Sequence, residues 1–240
     1  MKSNIRILIY PFILLIFVIL TGGYYSDNVN INDQTINKPA YSTGTVKDRE
    51  GNVYKTVAIG TQVWMAENLK STKYRNGDRI PNVTASETWE DLTTGAYCLY
   101  NNDASNKAAY GALYNWYAVK DKRNIAPPGW HIPTDGEWTI LITFLGGKGP
   151  AGGKLKEALT SHWSGPDSGA TNSSGFTALP GGYRNNKGAY LNFGSIGGWW
   201  SSTEYAKSVA WYRYTDFNTS YVYSCSSYKN SGFSVRCVKD

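Results

Sequence analysis

Apolar and polar positions alternate along residues 53–65 (VYKTVAIGTQVWM), with β-branched residues on either side of Gly60. Period-two alternation broken by a glycine predicts a β-hairpin whose second arm carries Trp64 into the core. A different period governs residues 109–119 (AYGALYNWYAV), where Leu113, Trp116 and Tyr117 fall at the i, i+3, i+4 spacing of one helix face. A first helix is expected there, and a second is expected to start at Thr134. Glu137 three residues later completes a capping box, and Pro133 stands where it can staple against Trp138. Trp138, Leu141, Ile142 and Leu145 then form one apolar stripe before Gly146 and Gly147 supply a stop. From Gly175 onward the chain breaks into short alternating runs, FTALPGGYR, AYLNFG, GWWSST, VAWYRYTD, YVYSCSS and GFSVRCVK, separated by Gly or Asn. These read as strands. Two helices early and small, irregular antiparallel sheets late make the expected class α+β.

The N-terminal pattern is separate. Lys2 and Arg6 precede an apolar run over residues 7–20, interrupted by Pro11 and followed by small residues. A spanning helix needs about 20 apolar residues, so a cleaved export signal over residues 1–23 is favoured over a permanent anchor. Residues 20–23 (LTGG) resemble a bacterial lipoprotein lipobox, but Gly23 stands where its cysteine belongs, so lipid attachment does not carry over. Residues 24–43 are Asn-rich without apolar periodicity and read as a tether, leaving residues 44–240 as one domain. Export places that domain outside the cytoplasm, secreted or at the cell surface, with membrane contact only through an uncleaved N-terminal segment. The first 23 residues hold two of the 24 Lys and Arg and none of the 18 Asp and Glu, so residues 24–240 carry 22 minus 18, or +4. The cations are scattered, which argues against a nucleic-acid partner.

Three cysteines, Cys98, Cys225 and Cys237, allow one disulfide and one free thiol. A hairpin turning near Lys229 and Asn230 would set Cys225 opposite Ser234 or its neighbour, leaving Cys237 roughly 10 Å farther along the strand. A bridge needs Cα atoms within about 7 Å, so Cys98–Cys237 is the expected pair.

Residues 126–138 (APPGWHIPTDGEW) gather one of the two histidines with two carboxylates and two tryptophans, which invites a catalytic reading. Thr134 and Glu137 are already committed to the cap, and Trp130 and Trp138 serve most economically as core, so these four are assigned structural roles. His131 and His162 lack a third metal ligand at helical or hairpin spacing, and no nucleophile elbow is present. Residues 146–154 (GGKGPAGGK) imitate a phosphate loop, but Lys154 is followed by Leu155 and Lys148 occupies the first glycine position; a helix end and a flexible loop explain the run. Asn101, Asp103 and Ser105 place oxygen side chains on alternate residues, a weak calcium candidate beside the reading as a solvated turn. The aromatic load is the stronger signal: 7 Phe, 9 Trp and 19 Tyr, many of them in the late strands. Alternation sets Trp211 with Arg213 on one face and Tyr212 with Tyr214 on the other, and one face must be core. Tyr183, Arg184, Tyr190, Trp199, Trp200, Trp211 and Arg213 form the candidate ligand platform, since rigid rings bind at low entropy cost. Packing is the alternative role for each.

Specific stretches carry a resemblance. Residues 97–106 (YCLYNNDASN), 110–119 (YGALYNWYAV), 126–138, 152–156 (GGKLK), 176–184 (FTALPGGYR), 199–203 (WWSST) and 232–240 (GFSVRCVKD) together resemble the Fibrobacter succinogenes major paralogous domain, a family of exported bacterial proteins. More distantly, HIPTDGEW, WWSST and GFSVRCV are similar to stretches of the formylglycine-generating sulfatase-modifying enzymes, which implies a C-type-lectin-like fold with two helices flanking an antiparallel core. The copper-binding cysteine pair of those enzymes has no counterpart, with Cys225 and Cys237 twelve residues apart, and the sugar-ligating tripeptides of true C-type lectins are absent. Fold does not imply function. The favoured expectation is a non-catalytic, cofactor-free exported module that presents an aromatic face to a glycan or protein. A structural component of the cell envelope is the alternative, and an oxidase relative is the third reading.

Overall fold

The computed structural model describes residues 44–159, 161–165 and 169–240. The expected export signal (1–23) and tether (24–43) lie outside the described residues. In chain order the elements are β1 (Gly44–Lys47), β2 (Val53–Ile59), β3 (Gln62–Met65), α1 (Ser86–Glu90), β4 (Tyr97–Cys98), a 3-10 turn (Tyr100–Asn102), α2 (Asn106–Tyr110), β5 (Leu113–Asn115), α3 (Trp116–Val119), β6 (Trp130–His131), α4 (Asp135–Phe144) and α5 (Lys148–Leu155). Seven strands follow: β7 (Tyr183–Arg184), β8 (Tyr190–Leu191), β9 (Ile196–Ala206), β10 (Val209–Asp216), β11 (Tyr223–Tyr228), β12 (Gly232–Phe233) and β13 (Val238–Lys239). They form three sheets, ordered β1-β2-β3-β13-β6, β11-β10-β9 and β4-β5-β12-β7-β8. Every pairing between these strands is antiparallel. The fold is β-rich, and its longest described helix, α4, has ten residues.

The β2–β3 hairpin forms where alternation places it. Ile59 pairs with Gln62 across a two-residue turn, and Gly60 at its first position adopts φ +61° at no steric cost. Trp64 is fully buried against Trp138, their ring centroids 4.8 Å apart. Val238 of β13 pairs with Trp64 on one side and His131 on the other, so a late strand joins β3 to β6.

The helix expected over residues 109–119 is not continuous. Gly111, at φ +74°, ends α2, and a Cβ there would sit 2.6 Å from the Leu69 carbonyl oxygen. Leu113 to Asn115 then pair with β4 and β12, and buried Asn115 caps α3 by accepting from the Ala118 N–H. The helical spacing of Leu113 and Trp116 is thus shared between a strand and a one-turn helix. The hairpin expected near Lys229 and Asn230 is also absent: β11 pairs with β10, whereas β12 crosses to pair with β5 and β7.

The start of α4 carries the capping box. The Glu137 N–H donates to Thr134 Oγ1 at 3.2 Å, and Glu137 Oε2 accepts from the Thr134 N–H at 2.7 Å. Glu137 Oε1 also meets His131 Nε2 at 2.7 Å, and His131 Nδ1 meets Asp240 Oδ1 at 2.6 Å, so one half-buried imidazole ties α4 to the strand system. Burial alone disfavours the imidazolium, but hydrogen bonds to Asp240 and Glu137 outweigh it and raise the His131 pKa. After Gly146 and Gly147 the chain re-enters a helix, α5, where a flexible loop was expected. Glycine is a poor helix former, yet a Cβ at Gly152 would lie 2.6 Å from the Ser220 carbonyl oxygen and 2.7 Å from that of Tyr221. Close packing against the 220–221 backbone selects glycine at position 152.

Two large core clusters lie on opposite sides of β9. Trp199 belongs to the cluster of Trp64, Trp138 and Phe176, and its neighbour Trp200 to that of Tyr114, Trp116 and Phe233. Between them sits a polar hub. Arg236, fully buried, donates from Nε to Asn68 Oδ1 (2.7 Å), from Nη1 to the Met65 (3.1 Å) and Phe176 carbonyls, and from Nη2 to the Thr177 carbonyl (2.9 Å). Asn68 Oδ1 also accepts from Trp199 Nε1 at 2.8 Å.

Candidate aromatic binding groove

Strand register assembles a row of rings on one face of the three-stranded sheet. Tyr212 lies opposite Trp200 of β9 and Cys225 of β11, while Tyr214 lies opposite Gly198 and Tyr223. Gly198 is required here because a Cβ would approach the Phe233 ring to 2.9 Å. With that space open, Phe233 stacks on Tyr212 at 4.3 Å and on Tyr183 at 5.2 Å, and stands edge-on to Trp200 at 4.8 Å. The row continues from Tyr212 to Tyr214 (5.8 Å, 21° between planes) and from Tyr214 to Tyr223 (4.6 Å, 11°), then tilts to Tyr221 at 4.8 Å.

Phe233 is buried, whereas Tyr183, Tyr212, Tyr214, Tyr221 and Tyr223 are each partly exposed. Tyr183, Ile196, Tyr212, Tyr214 and Phe233 enclose a cavity of about 190 Å³. Burial raises the Tyr212 and Tyr214 phenol pKa values above the ordinary 10.0, so both hydroxyls stay neutral at physiological pH and can donate or accept. Because the rings stack on one another, the row presents apolar ring edges and neutral hydroxyls along the groove, which suits a ligand with alternating C–H and O–H surfaces.

Residues 57–239 match the model of the Fibrobacter succinogenes major domain. The chain belongs to this family. No curated protein and no solved structure matches it.

In this Fibrobacter succinogenes major domain the candidate platform residues separate into two groups. Trp199 and Trp200 are core, exposed 2% and 0%, because β9 is covered on both faces; they cannot form the ligand surface expected of them. Arg184 is also fully buried, its guanidinium between the Trp89 and Tyr190 rings, donating to the Gly188, Val83 and Thr84 carbonyls. Arg213 is 3% exposed, with Nη2 2.6 Å from Asp135 Oδ1 beneath the start of α4. These two arginines hold loops and a helix in place and are not displayed. Tyr190 is partly exposed away from the groove, against Tyr100 and hydrogen-bonded to Asn102. Trp211 is partly exposed on the opposite sheet face, edge-on to Tyr205 at 4.7 Å. Tyr183 alone of the seven lines the groove.

The groove residues not assigned from sequence are Ile196, Tyr212, Tyr214, Tyr223 and Phe233. Alternation had grouped Tyr212 with Tyr214, but only the burial of β9 on both sides decides which face stays open.

The expected Cys98–Cys237 disulfide is absent, and all three thiols are free. Cys98 packs with Trp89, Ala96 and Leu113, whereas Cys237 lies in the cluster of Tyr54 and Met65. Burial pushes the Cys98 thiol up to about 11 and raises that of Cys237 further. At the weak calcium candidate, Asp103 Oδ1 accepts from the Ser105 N–H (2.9 Å) and Oγ (2.8 Å), and Asn101 adopts φ +51° in the turn. Among the described residues no three His, Cys, Asp or Glu side chains gather in a metal-binding group, and no helix is long and apolar enough to cross a membrane.

Proposed function

We propose that this chain is an exported, non-catalytic binding module whose tyrosine groove takes the ring faces of a glycan outside the cell. The continuous row Tyr183, Phe233, Tyr212, Tyr214, Tyr223 carries the reading, because rigid stacked rings present contact area at little entropic cost. Export is supported by the cations and apolar run of residues 2–20. The C-type-lectin-like fold belongs to the same proposal, supported by the small antiparallel sheets and the consecutive helices α4 and α5.

The test is a polysaccharide and glycan panel against the full chain and a Tyr214→Ala, Tyr223→Ala double variant, with folding checked by circular dichroism. Each ring contact is worth on the order of 1 kcal/mol, so the folded double variant should bind about tenfold more weakly or worse. Unchanged affinity in the folded variant would remove the groove from the proposal. An alternative role as an envelope assembly component draws on β11, a sheet-edge strand (YSCSSY) with neither proline nor charge to block strand addition. Failure of all glycans, with a stable complex recovered from native membranes, would favour that role.

A further inference from the structure

A second cavity, of about 440 Å³, opens between the β1–β2 turn, the segment 72–82 and β4, and shares no residue with the groove. That volume lies in the range of small-molecule sites, about 300–1,000 Å³. Backbone hydrogen bonds fix its walls: the Ile80 N–H donates to the Thr72 carbonyl (2.9 Å), the Tyr97 N–H to that of Pro81 (2.9 Å) and the Val83 N–H to that of Tyr97 (3.0 Å). The cavity is therefore built before any ligand arrives.

Its charge is unbalanced. Glu50 is the one carboxylate in the lining, and both its oxygens are occupied. Oε1 accepts from Thr72 Oγ1 at 2.7 Å, and Oε2 accepts from the Thr72 N–H and from Ser71 Oγ at 3.1 Å. Burial pulls the Glu50 pKa up, but the Thr72 and Ser71 hydrogen bonds and nearby Lys107 outweigh it and keep the carboxylate ionised. Lys73 and Arg79 face each other across a β-bridge in the same lining, and among the described residues neither side chain makes a hydrogen bond or ion pair. Two uncommitted cations thus stand over one carboxylate already held by three donors. Ile80, Pro81 and Tyr97 add apolar surface to the wall, beside the Asn82 amide.

We propose that this cavity binds a carboxylate-bearing ligand of monosaccharide size, a uronic acid. The Arg79 fork and Lys73 ammonium take the carboxylate, the apolar wall takes the C–H face of the ring, and the remaining lone-pair capacity of Glu50 accepts one sugar hydroxyl. A bare anion lacks the last two contacts and a neutral sugar lacks the first.

The experiment titrates the full chain with D-galacturonate, D-galactose and acetate by calorimetry and ligand-observed NMR. Saturable binding of galacturonate, in the millimolar range or tighter, is expected, with galactose and acetate at least about tenfold weaker, because charge-assisted bonds and the ring contacts each contribute. A Lys73→Gln, Arg79→Gln double variant should lose about tenfold or more, and rising salt should weaken binding to the wild-type chain. The Tyr214→Ala, Tyr223→Ala variant should bind galacturonate as the wild type does, which separates this site from the groove. No galacturonate binding, equal affinity for galactose or acetate, salt-independent affinity, or loss confined to the tyrosine variant would each overturn the proposal. Tighter binding of trigalacturonate than of the monomer would identify an acidic polysaccharide as the source, and equal binding a free sugar acid.

Discussion

Replacing Arg236 by methionine removes the polar hub while keeping side-chain length and apolar volume. Four hydrogen bonds disappear, three of them to the Met65, Phe176 and Thr177 carbonyls and one to Asn68. A buried acceptor left without a partner costs about 1–3 kcal/mol, so the three carbonyls alone amount to roughly 3–9 kcal/mol. Removing the guanidinium also cancels its own desolvation penalty, several kcal/mol in the opposite direction. The net expectation is a loss of about 3 kcal/mol, a large share of the roughly 5–15 kcal/mol that stabilises a typical domain. Urea titration followed by tryptophan fluorescence reads this directly, since several of the nine tryptophans are buried. With a slope near 2 kcal/mol per molar urea, the midpoint should fall by about 1.5 M. Arg236→Lys should not rescue it, because a compact ammonium cannot span acceptors arranged around a planar fork. An Arg236→Met midpoint at or above the wild-type value would refute the reasoning, showing that burying the charge costs more than its bonds return.

Gly152→Ala should destabilise by about 1–3 kcal/mol or prevent folding, since its methyl would lie 2.6–2.7 Å from Ser220, Thr215 and Tyr221 oxygens; a thermal melt with an unchanged midpoint would contradict the packing of α5. In His131→Gln, the wild-type stability advantage should be present below about pH 6.5, the ordinary histidine value, and vanish as pH rises through the raised folded-state pKa. Glu137 behaves oppositely: hydrogen bonds from Thr134 and His131 outweigh burial and hold it below the ordinary 4.5, so its contribution is present above that value and fades as pH falls through the lowered one. Melting temperatures across pH should therefore separate wild type from His131→Gln most between about 4.5 and 6.5, and a constant gap would exclude the imidazole clamp. Native-state thiol titration should label only Cys225, with Cys98 and Cys237 reacting after denaturation; two blocked thiols in the denatured, unreduced chain would reveal a disulfide instead.

Local signals were legible wherever one interaction dominates. Gly60 between alternating arms and the Thr134–Glu137 reciprocal bonds are short-range geometry, and both occur where pattern places them. Residues 109–119 mislead because Gly111 ends one helix, and the spacing of Leu113 and Trp116 is then satisfied across a strand and a single turn. Residues 146–154 contradict helix propensity, and the close approach of the 220–221 backbone accounts for Gly152 within α5. The binding surface was legible as a composition but not as a list of positions. Trp199 and Trp200 point to opposite faces of β9, and ordinary alternation would expose one; two separate cores bury both. Arg184 and Arg213 suggested display, but both are buried, Arg184 donating to three carbonyls and Arg213 paired with Asp135 through Nη2 alone. What remains open is the tyrosine row, a choice made by tertiary layering rather than by local sequence.

The position of β13 also fixes the order in which the molecule can be completed. Until Val238 is in place, β3 and β6 have no strand between them, and the first sheet exists only as an unjoined β1-β2-β3 ribbon and a stray two-residue segment. Contacts between such distant parts of a chain are slow to form. This sheet therefore cannot close before residue 238 has been made, and β13 acts as a latch between the early hairpin and β6.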